Sequence, residues 1–221
     1  MLRIDIGVGL TFMSTAKQFA EKLLQINALK ISPQNPFTWA SGWKSPVYCD
    51  NRKLLSYPYV RDFVKSELSN MVWEQYPDAE VIAGVATAGI AIGALVADLL
   101  KLPFIYVRSK PKEHGMGNQI EGFMEPGKKV VVIEDLISTG KSSLQVVDAL
   151  RDAGAEVMGM CGLFTYGFPE AEAAFEKAGV KLTTISNYAA LIELAKDKNV
   201  VAESDLVSLG EWRTSPSTWG K

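Results

Sequence analysis

Four consecutive β-branched residues, Val130 to Ile133, run directly into two carboxylates, Glu134 and Asp135, in the segment VVVIEDLISTGKSS. An unbroken apolar run of strand length suits a central parallel strand covered on both faces. Open α/β sheets bind ligands at the carboxyl ends of such strands, which is where the two acids fall. Ser138, Thr139, Gly140 and Lys141 follow, where a helical pattern opens. Backbone N–H groups there have no intrahelical partner, and the helix dipole adds partial positive charge. Hydroxyls of Ser138, Thr139, Ser142 or Ser143 add further donors. The acids would repel a phosphate, so they suit sugar hydroxyls or a sugar carrying developing positive charge. A sugar hydroxyl pair next to a phosphate needs both features in one loop. Gly140-Lys141-Ser142 also matches the end of a nucleoside-triphosphate P-loop, but that pattern needs glycine at position 135, where Asp stands.

The surrounding pattern alternates. Strand-like runs at Val81 to Val85, Phe104 to Val107, Val130 to Glu134, Glu156 to Phe164 and Lys181 to Ile185 are interleaved with helical spacing. The helices are expected at Ile90 to Leu100, Lys141 to Ala153, Ala171 to Ala178 and Tyr188 to Lys196. That order predicts βαβ units and a mainly parallel sheet. Upstream, amphipathic helices are expected over residues 15–27 and Pro58 to Gln75, with a turn-rich stretch of short strands between them. The division that follows is a cap region over residues 1–77, an α/β core over 78–212 and a polar tail over 213–221 that is expected to fray. Residues 1–12 read as a loose extension ahead of Met13-Ser14-Thr15. Most of the five tryptophans are expected in core or cap packing, with Trp39 and Trp43 near the site.

Composition narrows the function classes. A 221-residue chain of net charge -2 carries no nucleic-acid footprint. No apolar run spans a bilayer, no signal-peptide pattern opens the chain, and Cys49 and Cys161 lack metal-ligand spacing. A cytoplasmic, reducing setting is the expectation.

Three further constellations carry chemistry. Gly84 to Gly89, GVATAG, follows a strand and opens a helix; its small residues suit either a backbone that approaches a phosphate or tight helix–sheet packing. Arg108, Lys110, Lys112 and His114, the only histidine, share a glycine-bearing loop after a strand. Charge runs commonly mark a solvated face, yet this position at the sheet's carboxyl edge suits a mobile lid. Ser41-Gly42-Trp43-Lys44-Ser45-Pro46 places one cation in a tight turn, with Tyr48 just beyond.

Together these segments are similar to type I phosphoribosyltransferases, with IEDLISTG matching their phosphoribosyl-pyrophosphate (PRPP) signature. The SGWKSPVY segment resembles the orotate phosphoribosyltransferases of that family. The resemblance implies an α/β fold with a hood over the sheet, and transfer from PRPP to orotate giving orotidine 5'-monophosphate and pyrophosphate. It implies ribose contacts from Glu134 and Asp135, and a 5'-phosphate cradle over Leu136, Ile137, Ser138, Thr139, Gly140, Lys141 and Ser142. Pyrophosphate contacts are implied for Ala86, Thr87 and Ala88, across a non-proline cis peptide, and for Arg108, Lys112 and His114. Lys112, His114, Glu134 and Asp135 are the catalytic candidates. Lys44 would touch both substrates, with Tyr48, Thr139 and Tyr166 on orotate. Mg2+ would arrive with PRPP rather than in a protein cage, and a homodimer would share the 108–119 loop between subunits. A purine or uracil base, or a PRPP-sensing regulator without transfer, are the alternatives.

Three departures stand out. Position 88 is Ala and position 109 is Ser, where orotate enzymes often carry basic residues. Leu163 to Phe168 holds no cation where an arginine for the orotate carboxylate is common. A carboxylate ligand wants a charge-assisted donor, so Lys44, backbone N–H groups or Tyr166 are the expected substitutes.

Overall fold

The computed structural model describes residues 13–108 and 119–220. Helix α1 (Thr15–Gln25) opens on Ser14, whose hydroxyl caps the Lys17 N–H, and it buries Phe19, Ala20 and Leu23. Four short strands follow: β1 (Leu29–Ile31), β2 (Phe37–Thr38), β3 (Lys44–Ser45) and β4 (Val47–Cys49). They pair antiparallel as β1 with β4 and β2 with β3, forming the hood. A 3-10 turn over Asn51–Ser56 leads into α2 (Pro58–Gln75), whose Pro58 suits a first helical position.

The core then alternates through β5 (Val81–Val85), α3 (Ala88–Leu100), β6 (Phe104–Val107), β7 (Ile120–Glu121) and β8 (Lys129–Ile137). It continues through α4 (Lys141–Asp152), β9 (Glu156–Thr165), α5 (Pro169–Lys177), β10 (Leu182–Asn187), α6 (Tyr188–Asp197) and α7 (Leu206–Thr214). The six-stranded sheet has the order β10-β9-β8-β5-β6-β7, parallel throughout except for the antiparallel edge strand β7. Helix α2 packs on α3 and β9, α3 on β5 and β8, and α1 on β10 and α6, whereas α4 packs on β8, β9 and α5. Every residue of β5 and all of Val130 to Glu134 are buried, as the continuous apolar runs predict.

Two findings differ from the sequence-based expectation. Trp73 is 71% exposed rather than packed in the core. Residues 213–220, read from sequence as a polar tail, make specific contacts: α7 runs to Thr214, Arg213 Nε donates to Gly167 O at 3.1 Å, and Trp219 Nε1 donates to Ser208 Oγ at 3.1 Å. Two anchored tryptophans outweigh the polar composition of this stretch. Trp212 is fully buried among Trp39, Tyr166, Phe168 and Tyr188, with ring centroids 5.2 to 5.7 Å away. Its Nε1 donates to Lys44 O at 3.0 Å, so the last helix ties the hood to the sheet.

Candidate active site

The sheet changes direction between β5 and β8. From β5 the chain passes to β6 on one side, whereas β8 passes to β9 on the other. Ligands of open α/β sheets sit in the crevice such a reversal leaves at the strand ends. Two loops meet there. Residues 86–88 leave β5, with Ala86 N bonded to Val107 O at 2.8 Å and the Ala86–Thr87 peptide cis, as the resemblance implies. Thr87 is exposed, with Ala86 and Ala88 half-buried. The second loop, Ser138 to Gly140, leaves β8. Gly89 brings them together: a Cβ there would lie 2.6 Å from Ile133 O, so only glycine lets α3 begin this close to β8. The small residues of this segment thus serve helix–sheet packing while leaving Thr87 open to the crevice.

Gly140 caps α4 with φ +78°, and a Cβ on it would lie 2.7 Å from the Phe175 ring. Both conformation and space require glycine. The first backbone bond of the helix runs from Leu144 N to Gly140 O at 2.9 Å. The N–H groups of Lys141 and Ser142 precede it, on exposed residues at the positive end of the dipole. Ser138 and Thr139 are half-buried beside them. Leu136 is half-buried, while Ile137 is buried in the core and its carbonyl accepts from Tyr166 N at 3.1 Å.

The two acids occupy different settings, as consecutive strand residues must. Glu134 is buried on the α4 side, where Ser143 Oγ donates to its Oε2 at 2.8 Å and Asp135 N donates to its Oε1 at 2.9 Å. Ser143 is therefore committed to Glu134 and is not a phosphate donor, which corrects one expectation. Burial, and then the charge of Asp135, hold the Glu134 carboxyl well above the usual carboxylate range. Asp135 is half-buried; burial raises its carboxyl too, while Glu134's hydrogen bond and the Arg52 guanidinium pull it back. A buried acid beside a half-buried one is a pair in which the two groups resist being charged together.

The hood closes the crevice. Asn51 Nδ2 donates to Asp135 O at 2.6 Å, joining the hood's last turn to the acid strand. Between hood and sheet lies a cavity of about 330 Å³ lined by Thr38, Trp39, Ala40, Tyr48, Cys49, Arg52, Leu136, Ser138 and Tyr166. Trp39 and Tyr166 lie 5.0 Å apart, and Tyr166 stacks on Phe168 at 5.5 Å. Burial holds the Tyr166 phenol well above its usual value, so it stays neutral at the inner end of the cavity. Such a slot accepts a flat, partly apolar ring.

Several predicted residues converge here. Tyr48, Tyr166, Leu136 and Ser138 line the cavity. Lys44 stands at its rim, with Nζ donating to Thr38 Oγ1 at 2.8 Å. Thr139 sits in the adjoining loop and is not part of the cavity wall. Arg108 is exposed at the end of β6, its N–H bonded to Gln119 O at 3.0 Å. Lys112 and His114 lie outside the described residues. Thr38 and Arg52 were not foreseen. Arg52 sits in the polar run Asp50-Asn51-Arg52-Lys53, which reads as a solvated turn.

Known proteins resemble this chain in sequence and fold. The phosphoribosyl transferase domain family matches residues 60–199. The orotate phosphoribosyltransferase of Bacteroides fragilis is 58% identical over 201 residues, covering 91% of this chain and 95% of its own. The chain belongs to the orotate phosphoribosyltransferase family. Among solved structures, orotate phosphoribosyltransferase from Aeropyrum pernix matches with TM-score 0.71 and 27% identity, over 83% of this chain and 99% of its own. Leishmania donovani UMP synthase matches with TM-score 0.73 and 28% identity over 89% of this chain, which spans 42% of that longer chain. Family membership fits the site in one respect above all: the hood, acid strand and anion loop all fall within the stretch shared with the Bacteroides relative.

Proposed function

We propose that this crevice transfers the phosphoribosyl group of PRPP to orotate, releasing pyrophosphate and forming orotidine 5'-monophosphate. The observation that carries the reading is the meeting, at one switch point, of a half-buried acid, an open helix N-terminus and an aromatic slot. Each matches one part of the reactants: ribose hydroxyls, 5'-phosphate and flat base.

In this reading, Asp135 accepts hydrogen bonds from the ribose hydroxyls, and Glu134 behind it fixes the strand end through Ser143. As the anomeric C–O bond breaks, positive charge develops on the sugar and negative charge on the departing pyrophosphate. Asp135 stabilises the first. Arg108, Lys112 and His114, with the backbone at Ala86 to Ala88, neutralise the second and exclude water. N–H groups of Lys141 and Ser142, with the hydroxyls of Ser138 and Thr139, hold the 5'-phosphate through the α4 dipole. Trp39, Tyr48 and Tyr166 hold the base.

Among the described residues no cluster of three or more His, Cys, Asp or Glu could hold a metal. Mg2+ would come with PRPP, near Glu134 and Asp135, whose half-buried carboxylate is the oxygen donor open to the crevice, since this ion keeps few protein ligands in phosphate sites. When bound it supplies Lewis-acid stabilisation of the leaving group. A homodimer in which each 108–119 loop reaches its partner's crevice completes the reading, as does a cytoplasmic setting. No described helix is long and apolar enough to cross a membrane.

The test mixes purified protein with orotate, PRPP and Mg2+ and follows orotate absorbance. PRPP-dependent loss that stops on chelation is the expected result. Unchanged absorbance with PRPP binding intact would overturn orotate as the substrate.

A further inference from the structure

We infer that Arg52 determines specificity for a carboxylate-bearing base, its guanidinium gripping the orotate carboxylate. The inference rests on the functional reading above. Orotate differs from uracil by one ring carboxylate, and a slot that selects it must present a cation. Among the described residues Arg52 is the only cation on the wall of the aromatic cavity, and Leu163 to Phe168, which supply Tyr166 to that wall, contribute none.

Its placement is built rather than incidental. Asn51 is buried and bonded to Asp135 O, which pins the turn that carries Arg52 to the end of the acid strand. Asp50 Oδ1 then accepts from Arg52 Nε at 2.7 Å, orienting the guanidinium edge-on. That bond uses one of five donors and leaves the two terminal nitrogens, a fork that matches a carboxylate end-on. Asp50 keeps its charge for this task, because the hydrogen bond from Arg52 holds its carboxyl below the usual range. Lys44 is a weaker candidate: it has a point charge, its Nζ is engaged with Thr38, and it is not on the cavity wall. The Arg52 side chain is 64% exposed, so replacing it removes a ligand contact and little packing.

Steady-state kinetics on wild type, Arg52→Ala and Arg52→Lys, with orotate and with uracil as the carboxylate-free base, test this. Arg52→Ala should raise KM for orotate about 10- to 100-fold, the loss expected for one charge-assisted hydrogen bond. KM for PRPP and any kcat/KM for uracil should each shift by no more than about threefold, through the charge Arg52 presents to Asp135, and Arg52→Lys should recover part of the orotate loss. The preference for orotate over uracil in kcat/KM shrinks by the same factor as orotate binding. An unchanged orotate KM in an active Arg52→Ala protein overturns this inference alone. An equal rise in the PRPP KM does so too, by assigning Arg52 to the sugar phosphate beside Asp135. Wild-type protein that leaves orotate unconsumed overturns the functional reading, and this inference with it.

Discussion

Replacing Gly89 with alanine tests whether the contact between α3 and β8 sets the geometry of the crevice. A Cβ at this position would lie 2.6 Å from the carbonyl oxygen of Ile133, a backbone atom at the end of the acid strand. That is about 0.7 Å short of ordinary carbon–oxygen contact. Neither partner can rotate away, so the start of α3 must lift, taking Ala86 to Ala88 away from Asp135. Overpacking of this kind costs about 1–3 kcal/mol. The better helix propensity of alanine returns about 1 kcal/mol. The net loss is therefore about 0–2 kcal/mol, a fall in Tm of up to about 8 °C for a chain of this size. Catalysis suffers more, because a displacement near 1 Å between reacting groups costs about 10²-fold in rate. Thermal melts by circular dichroism and initial rates of PRPP-dependent orotate loss read the two effects separately. Gly210→Ala is the control. Nothing lies within 4 Å of its added Cβ, it is an exposed residue inside α7, and it should gain up to about 1 kcal/mol. Wild-type rate and Tm in Gly89→Ala would refute the reasoning.

Three other outcomes are expected. Glu134, whose carboxyl is raised by burial and by Asp135, contributes stability that is complete below its unfolded value near ~4.3 and lost as pH rises through its folded value. Glu134→Gln should therefore gain in Tm over wild type progressively above about pH 5, and melts from acid to alkaline pH that keep a constant gap would rule this out. Trp212→Ala empties a fully buried site and removes the bond to Lys44 O, so urea unfolding should show a loss of about 3–5 kcal/mol; stability equal to wild type would exclude the strap role of α7. Lys112→Ala should cut kcat about 10²- to 10³-fold with orotate KM little changed, whereas matched losses in both would remove Lys112 from leaving-group stabilisation.

The parts of the fold that could be read from sequence are the short apolar runs, whether buried on both faces like β5 or on alternate residues like β6. The runs at Val81 to Val85 and Phe104 to Val107 appear with the bounds their apolar content predicts. Strand β8 runs three residues past the expected Glu134, because pairing of Leu136 with Phe164 and Ile137 with Thr165 carries the ladder on beyond Asp135. Helix α7 escaped notice because Gly210 and Ser208 interrupt its pattern and Trp212 alone carries much of its packing. At the site, the acid pair and Gly140 were legible because strand, charge and turn chemistry coincide in one segment. Arg52 was not, since its role arises from a hydrogen bond between residues 51 and 135, a pairing no local pattern encodes.

The tie between Trp212 and Lys44 spans 168 positions of the chain, and this sets an order on how the molecule is made. Ribosomes add about 5–20 residues per second, so Lys44 emerges roughly 8–34 s before its partner does. Until then the hood has its hairpins but no strap, and the Trp39–Tyr166 pair on the cavity wall lacks the indole that packs against both rings. The nascent chain completes its anion loop early and its sheet once Asn187 has emerged, whereas the chamber for the base forms last. Translation pauses or truncations ahead of residue 212 would thus release a protein with its sugar-phosphate half assembled and its base half open.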